Sequence, residues 1–371
     1  MSQLTIKAMP KPSDYLSQQA QPHLNLGLRP MLLLVLFAGL GVVFLLSLAL
    51  GSVDIPLDQI LVILTGGDAD KSSWVNIILK FRLPKALTAM FAGMALGVSG
   101  LLMQTFFRNP LAGPYVLGVS SGASLGVALV VLTTGGVGGA LLAGFSISSD
   151  LMLALAAGIG AGVTMGLVLL VSMRVRSSMT LLILGLMFGY LVSAMVSLLL
   201  YFAVPERIQA YVNWTFGTFG GVTWEQMPIL GGVVLLGLMI AGTLTKSLNA
   251  LLLGENYARS LGLDLMMTRL AIVSSTALLA GVVTAFCGPI GFIGIAVPHL
   301  CRSLFNTSDH RLLVPATILM GAIVALIAAI IAEVPGNNLV LPLNAVTALL
   351  GAPIVIVVIL RQRNLGKSFG G

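Results

Sequence analysis

Residues 31–50 read MLLLVLFAGLGVVFLLSLAL, an apolar run in which no side chain is charged. A helix needs about 20 such residues to cross the hydrocarbon core of a bilayer. The run is longer than the apolar core of a signal peptide, which has about 7–15 residues, and it lacks a convincing small-residue cleavage site. We therefore predict that this stretch forms an uncleaved first transmembrane helix.

The rest of the chain repeats this pattern. Hydrophobic residues make up 57% of it and charged residues only 8%, whereas a soluble domain carries about 25% charge. Because unpaired backbone groups are not tolerated in lipid, apolar stretches of this length must be helices. They fall near 31–51, 86–103, 115–134, 151–173, 180–202, 229–245, 268–286, 288–305, 312–333 and 340–360.

These stretches predict an all-α integral membrane protein with about ten transmembrane helices. The membrane domain is expected over 29–361, after a flexible polar arm (1–28) and before a short tail (362–371). With ten spans, fourteen Lys and Arg residues fall on the side of the termini and five on the other. The positive-inside rule therefore places both termini in the cytoplasm. The net charge of +7 is explained by this topology and by contact with anionic membrane lipids. The sequence has no basic stripe interleaved with aromatic residues, so it does not predict nucleic-acid binding.

Small residues recur at intervals of four along several predicted helices, a spacing that lets helix backbones approach closely. This pattern predicts helix-packing faces. The residues concerned are Gly118, Gly122 and Gly126, then Gly158, Gly162 and Gly166, and finally Gly185 with Gly189.

The sequence offers no energy source of its own, and we expect no catalytic, metal or cofactor residues. Gly366-Lys367-Ser368 resembles the end of a P-loop, but Arg361 stands where that loop requires its first glycine. Cys287 and Cys301 lie in apolar sequence and are interpreted as small core residues. An ion-coupled secondary transporter usually carries acids or histidines in mid-membrane, and His299 and Glu333 are almost the only such groups in the predicted spans. Energy is therefore expected from a partner, and a secondary transporter or a passive pore remains the alternative.

A partner could act on the longest predicted cytoplasmic loop, about 246–267. Its segment Glu255–Leu261 suits a short helix, with an acid at the N-terminal end, Glu255 and Arg259 four residues apart, and Gly262 available for a left-handed C-cap. A capped helix with exposed apolar residues outside the membrane suggests a docking site for another protein. The alternative is an interfacial helix that lies on lipid headgroups.

Several motifs together resemble the FecCD/BtuC-type permeases, which import vitamin B12, haem and ferric siderophores. They occur in order over about 31–361, and the run from Gly288 to His299 is the most specific. The motifs are Arg82-Leu-Pro-Lys85, Arg108-Asn-Pro-Leu-Ala112, Leu117-Gly-Val-Ser-Ser-Gly122, Gly217-Thr-Phe-Gly-Gly-Val-Thr-Trp224, Leu253–Gly262, Gly288–His299, Asp309-His-Arg311 and Asn344–Pro353.

This resemblance implies a BtuC-like permease of a type II ABC importer in the inner (plasma) membrane of a bacterial cell. The implied partners are a second permease copy or homologue, two ABC ATPase subunits that use ATP in the cytoplasm, and a periplasmic or lipid-anchored substrate-binding protein. The chain itself would not be an enzyme. An iron chelate is the first expectation for the substrate, with haem and cobalamin next, and specificity is expected to reside mainly in the binding protein.

The resemblance also assigns roles to individual residues. Arg82 and Lys85 match basic residues that dock the binding protein, although both could be ordinary interfacial anchors. A third basic contact of the vitamin B12 branch is missing, because residues 332–338 carry the acid Glu333 instead. Two constrictions of the pathway match Asn109 with Leu111 and Ser178 with Met179. The ATPase-coupling residues are Leu253, Gly254, Glu255, Tyr257, Ala258, Arg259, Leu261 and Gly262.

Overall fold

Every predicted apolar stretch contains a helix in the computed structural model, which describes residues 28–133, 149–175, 178–334 and 339–368. Residues 1–27 of the predicted arm and 369–371 of the tail lie outside the described residues. The helices are α1 (Leu28–Ala49), α2 (Leu57–Leu64), α3 (Ser72–Asn76), α4 (Leu83–Phe106), α5 (Val119–Thr133), α6 (Ser149–Arg174), α7 (Ser178–Tyr201), α8 (Pro205–Thr215), α9 (Met227–Thr243), α10 (Thr245–Leu252), α11 (Glu255–Ser260), α12 (Leu265–Cys287), α13 (Ile293–Phe305), α14 (His310–Ala332) and α15 (Leu343–Ser368). A π-helical segment (Ile77–Arg82) joins α3 to α4, and a 3-10 turn (Pro114–Leu117) precedes α5.

The number of crossings agrees with the prediction of about ten. Within the described residues, six helices are long and apolar enough to span a bilayer, and one of them runs without a break from Ser72 to Phe106. The pair α9 and α10, bent by 53°, makes a seventh. Three shorter apolar helices, α5, α13 and α15, bring the number of apolar helical segments in the described residues to ten. The sequence pattern does not predict α2 and α8, because neither is long enough to register as a span.

Helix α4 lies at the centre and packs against α14, α12, α13 and α9. Glycine makes the closest of these contacts possible. A Cβ atom on Gly93 would lie only 2.1 Å from the carbonyl oxygen of Gly321 in α14, and one on Gly100 only 1.7 Å from that of Gly294 in α13. These helices therefore pack backbone against backbone, as small-residue spacing permits in membranes.

The predicted packing faces are confirmed on α5 but only in part on α6. A Cβ atom on Gly126 would lie 2.0 Å from the carbonyl oxygen of Ala156, and one on Gly122 would lie 2.5 Å from that of Gly160. For Gly162 and Gly166, however, nothing among the described residues beyond the local helix backbone lies within 4 Å of such a Cβ, so these two glycines do not pack against another described helix of the same chain. Helix α6 carries a second ladder of small residues that includes Ala156 and Gly160. It is offset from the first by two positions, or about 200° around the helix, and it is this second ladder that faces α5.

The break between α12 and α13 is closed by protein contacts. Within it, Gly288 and Phe292 both adopt positive φ angles, 76° and 65°. The freed backbone N–H of Ile290 donates to the Tyr115 hydroxyl at 3.2 Å, and that of Gly291 donates to the Asn344 side chain at 3.1 Å. Irregular backbone is tolerated in a membrane when protein covers it in this way.

Both cysteines are core residues, as the sequence predicts. Cys287 and Cys301 are buried and are not joined by a disulfide.

Candidate functional site

The predicted coupling segment, Leu253–Gly262, forms a separate projection that we call the knob. Its helix, α11, lies between two glycines in left-handed backbone, Gly254 at φ 109° and Gly262 at φ 83°. The N–H of Gly262 donates to the carbonyl of Arg259 at 3.0 Å, and that of Leu263 donates to the carbonyl of Ala258 at 3.1 Å. These bonds form the glycine-terminated helix end that the sequence predicts.

The knob presents apolar side chains to its surroundings. Leu253, Tyr257 and Leu261 are 63%, 51% and 61% exposed, while Ala258 is fully buried against the rest of the chain. Met267, at the start of α12, is also exposed. A group of exposed apolar side chains on one short segment is typical of a protein interaction site.

An ion pair attaches the knob to the bundle. Both oxygens of the Glu255 carboxylate accept hydrogen bonds from the Arg269 guanidinium at 2.9 Å. The Arg269 side chain is only 13% exposed and that of Glu255 34%. Arg269 also donates to the carbonyl oxygen of Val175 at 3.1 Å. One guanidinium on α12 therefore contacts both the knob and the segment just before Ser178.

A second polar network attaches α10, the helix that leads into the knob. The Asn249 side chain donates to the Asp309 carboxylate at 2.7 Å and accepts from the backbone N–H of His310 at 2.9 Å. The His310 ring lies 2.8 Å from the Thr105 hydroxyl of α4. Partial burial raises the pKa of Asp309, but hydrogen bonds from Arg311 and Asn249 and the nearby Arg311 charge outweigh it and hold that pKa below its usual range. The carboxylate therefore stays ionised and caps α14.

The predicted constriction at Asn109 and Leu111 is a tight turn. The Asn109 side-chain oxygen accepts from the N–H of Leu111 at 2.9 Å, a local bond typical of turns that begin with asparagine. The His299 ring donates to the carbonyl oxygen of Pro110 at 2.8 Å. This turn is thereby fixed to α13, and the Leu111 side chain is left exposed.

The other predicted constriction stands at the start of α7. Ser178 is the first residue of that helix, and its side chain lies outside the described residues. Met179 is exposed. Much of α7 is exposed as well, including Tyr190, Leu191 and Leu198, so a single chain leaves one face of this apolar helix uncovered.

The two predicted docking residues differ in their surroundings. Arg82 is only 7% exposed, and its guanidinium donates to the backbone carbonyls of Leu48 at 2.7 Å, Ala49 at 2.9 Å and Val53. Lys85 is partly exposed and forms an ion pair with Glu333. The acid that replaces the third basic contact is therefore the partner of Lys85, while residues 335–338 lie outside the described residues.

Sequence reasoning did not find three of these contacts. It missed Arg269 as the partner of Glu255, Asn249 as the link between α10 and α14, and Glu333 as the partner of Lys85. The distances along the chain, 14 residues for Arg269 and 248 for Glu333, explain the omission, because helical spacing rules reach only the next turn. Among the described residues, no three His, Cys, Asp or Glu side chains are grouped as metal ligands.

The FecCD transport family matches residues 39–361. The vitamin B12 import system permease protein BtuC of Klebsiella pneumoniae subsp. pneumoniae is 39% identical over 290 residues, which cover 78% of this chain and 84% of that protein. The BtuC protein of Citrobacter koseri is 37% identical, over 77% of this chain and 83% of that protein. A solved structure described as an inward-facing metal-chelate type ABC transporter superposes with a TM-score of 0.77 at 29% identity, over 90% of this chain and 99% of that one.

Proposed function

Because the chain belongs to the FecCD transport family, we propose that it is the membrane-spanning permease subunit of an ABC importer that brings a metal chelate into the cytoplasm. The named relatives are permease proteins, so the chain is a transport subunit and not an enzyme. Its apolar spans and these relatives place it in the inner membrane of a bacterium. The proposed orientation, with both termini in the cytoplasm, follows the distribution of Lys and Arg.

The observation that carries the proposal is the knob together with its ion pair. An ABC ATPase subunit would bind the exposed Leu253, Tyr257 and Leu261 side chains. Force on the knob would pass through Glu255 to Arg269 on α12, and from Arg269 to the carbonyl of Val175. An arrangement of this kind lets ATP hydrolysis on a separate subunit move helices in a chain that shows no nucleotide motif of its own.

The gates proposed for the pathway lie close to this transmission route. Val175 precedes Ser178 and Met179 by only a few residues, so a displacement of Arg269 would reach the start of α7. The turn at Asn109 and Leu111 would form the second constriction, held by His299. Movement of α13 or α7 would then narrow or widen the cytoplasmic exit.

On the outer side we assign the docking contact to Lys85. Its ammonium group is partly exposed and would exchange part of its attraction to Glu333 for an acidic residue of a substrate-binding protein. Arg82 would support docking from beneath, because its three carbonyl contacts fix the end of α1 to the loop that follows it. The proposed partner of this surface is a periplasmic or lipid-anchored binding protein.

Two further assignments rest on the family and on the exposed helix. The uncovered apolar face of α7 fits a second permease copy or homologue, with the pathway between the two subunits. For the substrate, an iron chelate is the first expectation of the family resemblance, but the two vitamin B12 permeases among the reported relatives favour cobalamin. We therefore propose cobalamin as the first substrate to test and a ferric siderophore or haem as the second.

Reconstitution tests the proposal directly. The full chain would be placed in liposomes with a candidate ATPase and binding protein, and uptake of labelled cobalamin would be measured with and without ATP. We expect uptake only with all three proteins and ATP. Uptake that needs a proton or sodium gradient but no ATPase would establish a secondary transporter instead, and equal flux in both directions would establish a passive pore.

A further inference from the structure

A large cavity lies beside the knob, at the cytoplasmic ends of α4 and α13 in the proposed orientation and against the middle of α15. Its volume is about 1000 Å³. Three basic side chains line it, Arg108, His299 and Arg302, and none of its described lining residues is acidic. The cavity therefore combines positive charge with room for a ligand of considerable size.

Arg302 is the strongest indication of what the cavity binds. It lies in the last turn of α13, is partly buried, and donates a hydrogen bond to the side-chain oxygen of Gln104. Gln104 is held in turn by a bond from its amide to the carbonyl of Ile295 at 3.1 Å. Within the described residues, no carboxylate forms an ion pair with Arg302. The C-terminal end of α13 offsets part of the positive charge, but a cation that is partly removed from water is stabilised further by a counter-charge.

Much of the remaining lining of the cavity is apolar. It includes Pro353, Ile354 and Val357 of α15 together with Leu300 of α13. A small free anion would use the basic end only, whereas a molecule with an anionic head and a hydrocarbon tail would contact both parts. Basic pockets between transmembrane helices on the cytoplasmic side are suited to lipid headgroups of this kind.

We propose that this cavity binds an anionic phospholipid of the cytoplasmic leaflet, with its phosphate at Arg302 and Arg108 and an acyl chain along α15. The position links the lipid to transport. A Cβ atom on Gly254 of the knob would lie 3.6 Å from a guanidinium nitrogen of Arg108, and His299 holds the turn of Asn109 and Leu111. A bound phosphate would therefore stabilise the contact between the knob and this gate.

The test uses the full-length protein purified in detergent and supplied with phosphatidylglycerol, phosphatidylcholine or inorganic phosphate. Retained lipid is measured by native mass spectrometry, and the midpoint of thermal unfolding is measured alongside. We expect selective retention of phosphatidylglycerol. Arg302→Met should lower this retention about tenfold, because it removes charge-assisted hydrogen bonds to the phosphate.

Ile354→Trp provides an independent variant, since it fills the apolar wall and leaves the charges in place, and it should reduce retention as well. Arg311→Gln is the matched control, because this exposed cation of α14 does not line the cavity, and retention should not change. Equal retention of phosphatidylcholine, or unchanged retention in both cavity variants, would overturn the proposal. If inorganic phosphate raises the unfolding midpoint as much as phosphatidylglycerol does, the lipid assignment is wrong.

Discussion

Replacing Arg269 by methionine would separate the knob from the bundle while it preserves the length and much of the volume of the side chain. In the structure this guanidinium donates two hydrogen bonds of 2.9 Å to Glu255 and one of 3.1 Å to the carbonyl of Val175. We expect Arg269→Met to leave the ATPase bound and active but to reduce the amount of substrate moved for each ATP hydrolysed.

The magnitude follows from the exposure of the pair. A hydrogen bond to a charged group contributes about 1.5–3 kcal/mol, whereas an exposed ion pair contributes about 0–1 kcal/mol. Because the Glu255 side chain is 34% exposed, screening by solvent lowers the free energy contributed by the contact between Arg269 and Glu255 toward the range of an exposed ion pair. We therefore assign about 2 kcal/mol to the whole linkage, which corresponds to roughly a thirtyfold change in a coupled equilibrium.

The assay compares uptake of labelled substrate with release of phosphate in the same proteoliposomes. Lys246→Met is the matched control, because Lys246 is an exposed cation of α10 that lies outside the knob. We expect the control to change the ratio of uptake to hydrolysis by less than about threefold, consistent with the small contribution of exposed charges. If Arg269→Met retains the normal ratio, or if Lys246→Met lowers it more, force does not travel through the contact between Glu255 and Arg269.

Three further predictions concern the outer surface, the helix core and the base of the knob. Lys85→Glu should weaken docking of the binding protein about tenfold and reduce the salt dependence of its association rate. The double variant Lys85→Glu with Glu333→Lys should recover thermal stability but not docking. Unchanged docking in the single variant would show that Lys85 is not part of the interface. Gly93→Ala should destabilise the protein by about 3 kcal/mol or more, since its Cβ would meet a backbone oxygen at 2.1 Å. Gly41→Ala is the control: its Cβ would meet none of the described residues within 4 Å, and it should change the free energy of unfolding by no more than about 0.5 kcal/mol. Similar unfolding midpoints for the two variants would contradict this packing. Asn249→Ala should cost about 1–3 kcal/mol of local stability and increase hydrogen exchange in α10 and α11, and unchanged exchange there would show that the network does not hold the knob.

The amino-acid sequence by itself determined the features that lie within one helix or one turn. The run at 31–50 is apolar over a length that only a bilayer-spanning helix satisfies, and the other stretches follow the same rule. The helix of the knob is equally local, because the acid that begins it and the glycine that ends it act on backbone groups at most one turn away. Its role in coupling stays a prediction, as do the gates and the docking residues.

Only the tertiary structure decided which residues meet across helices. The sequence contains two equivalent ladders of small residues on α6, and the rotation of that helix selects the one through Ala156 and Gly160 rather than Gly162. In the same way, the ion pairs of Glu255 with Arg269 and of Lys85 with Glu333 join different segments of the bundle. No local sequence pattern encodes how those segments are rotated relative to each other. The physical reason is that close helix packing depends on dispersion contacts summed over whole faces, so the partner of any one side chain is fixed only when all the faces are packed together.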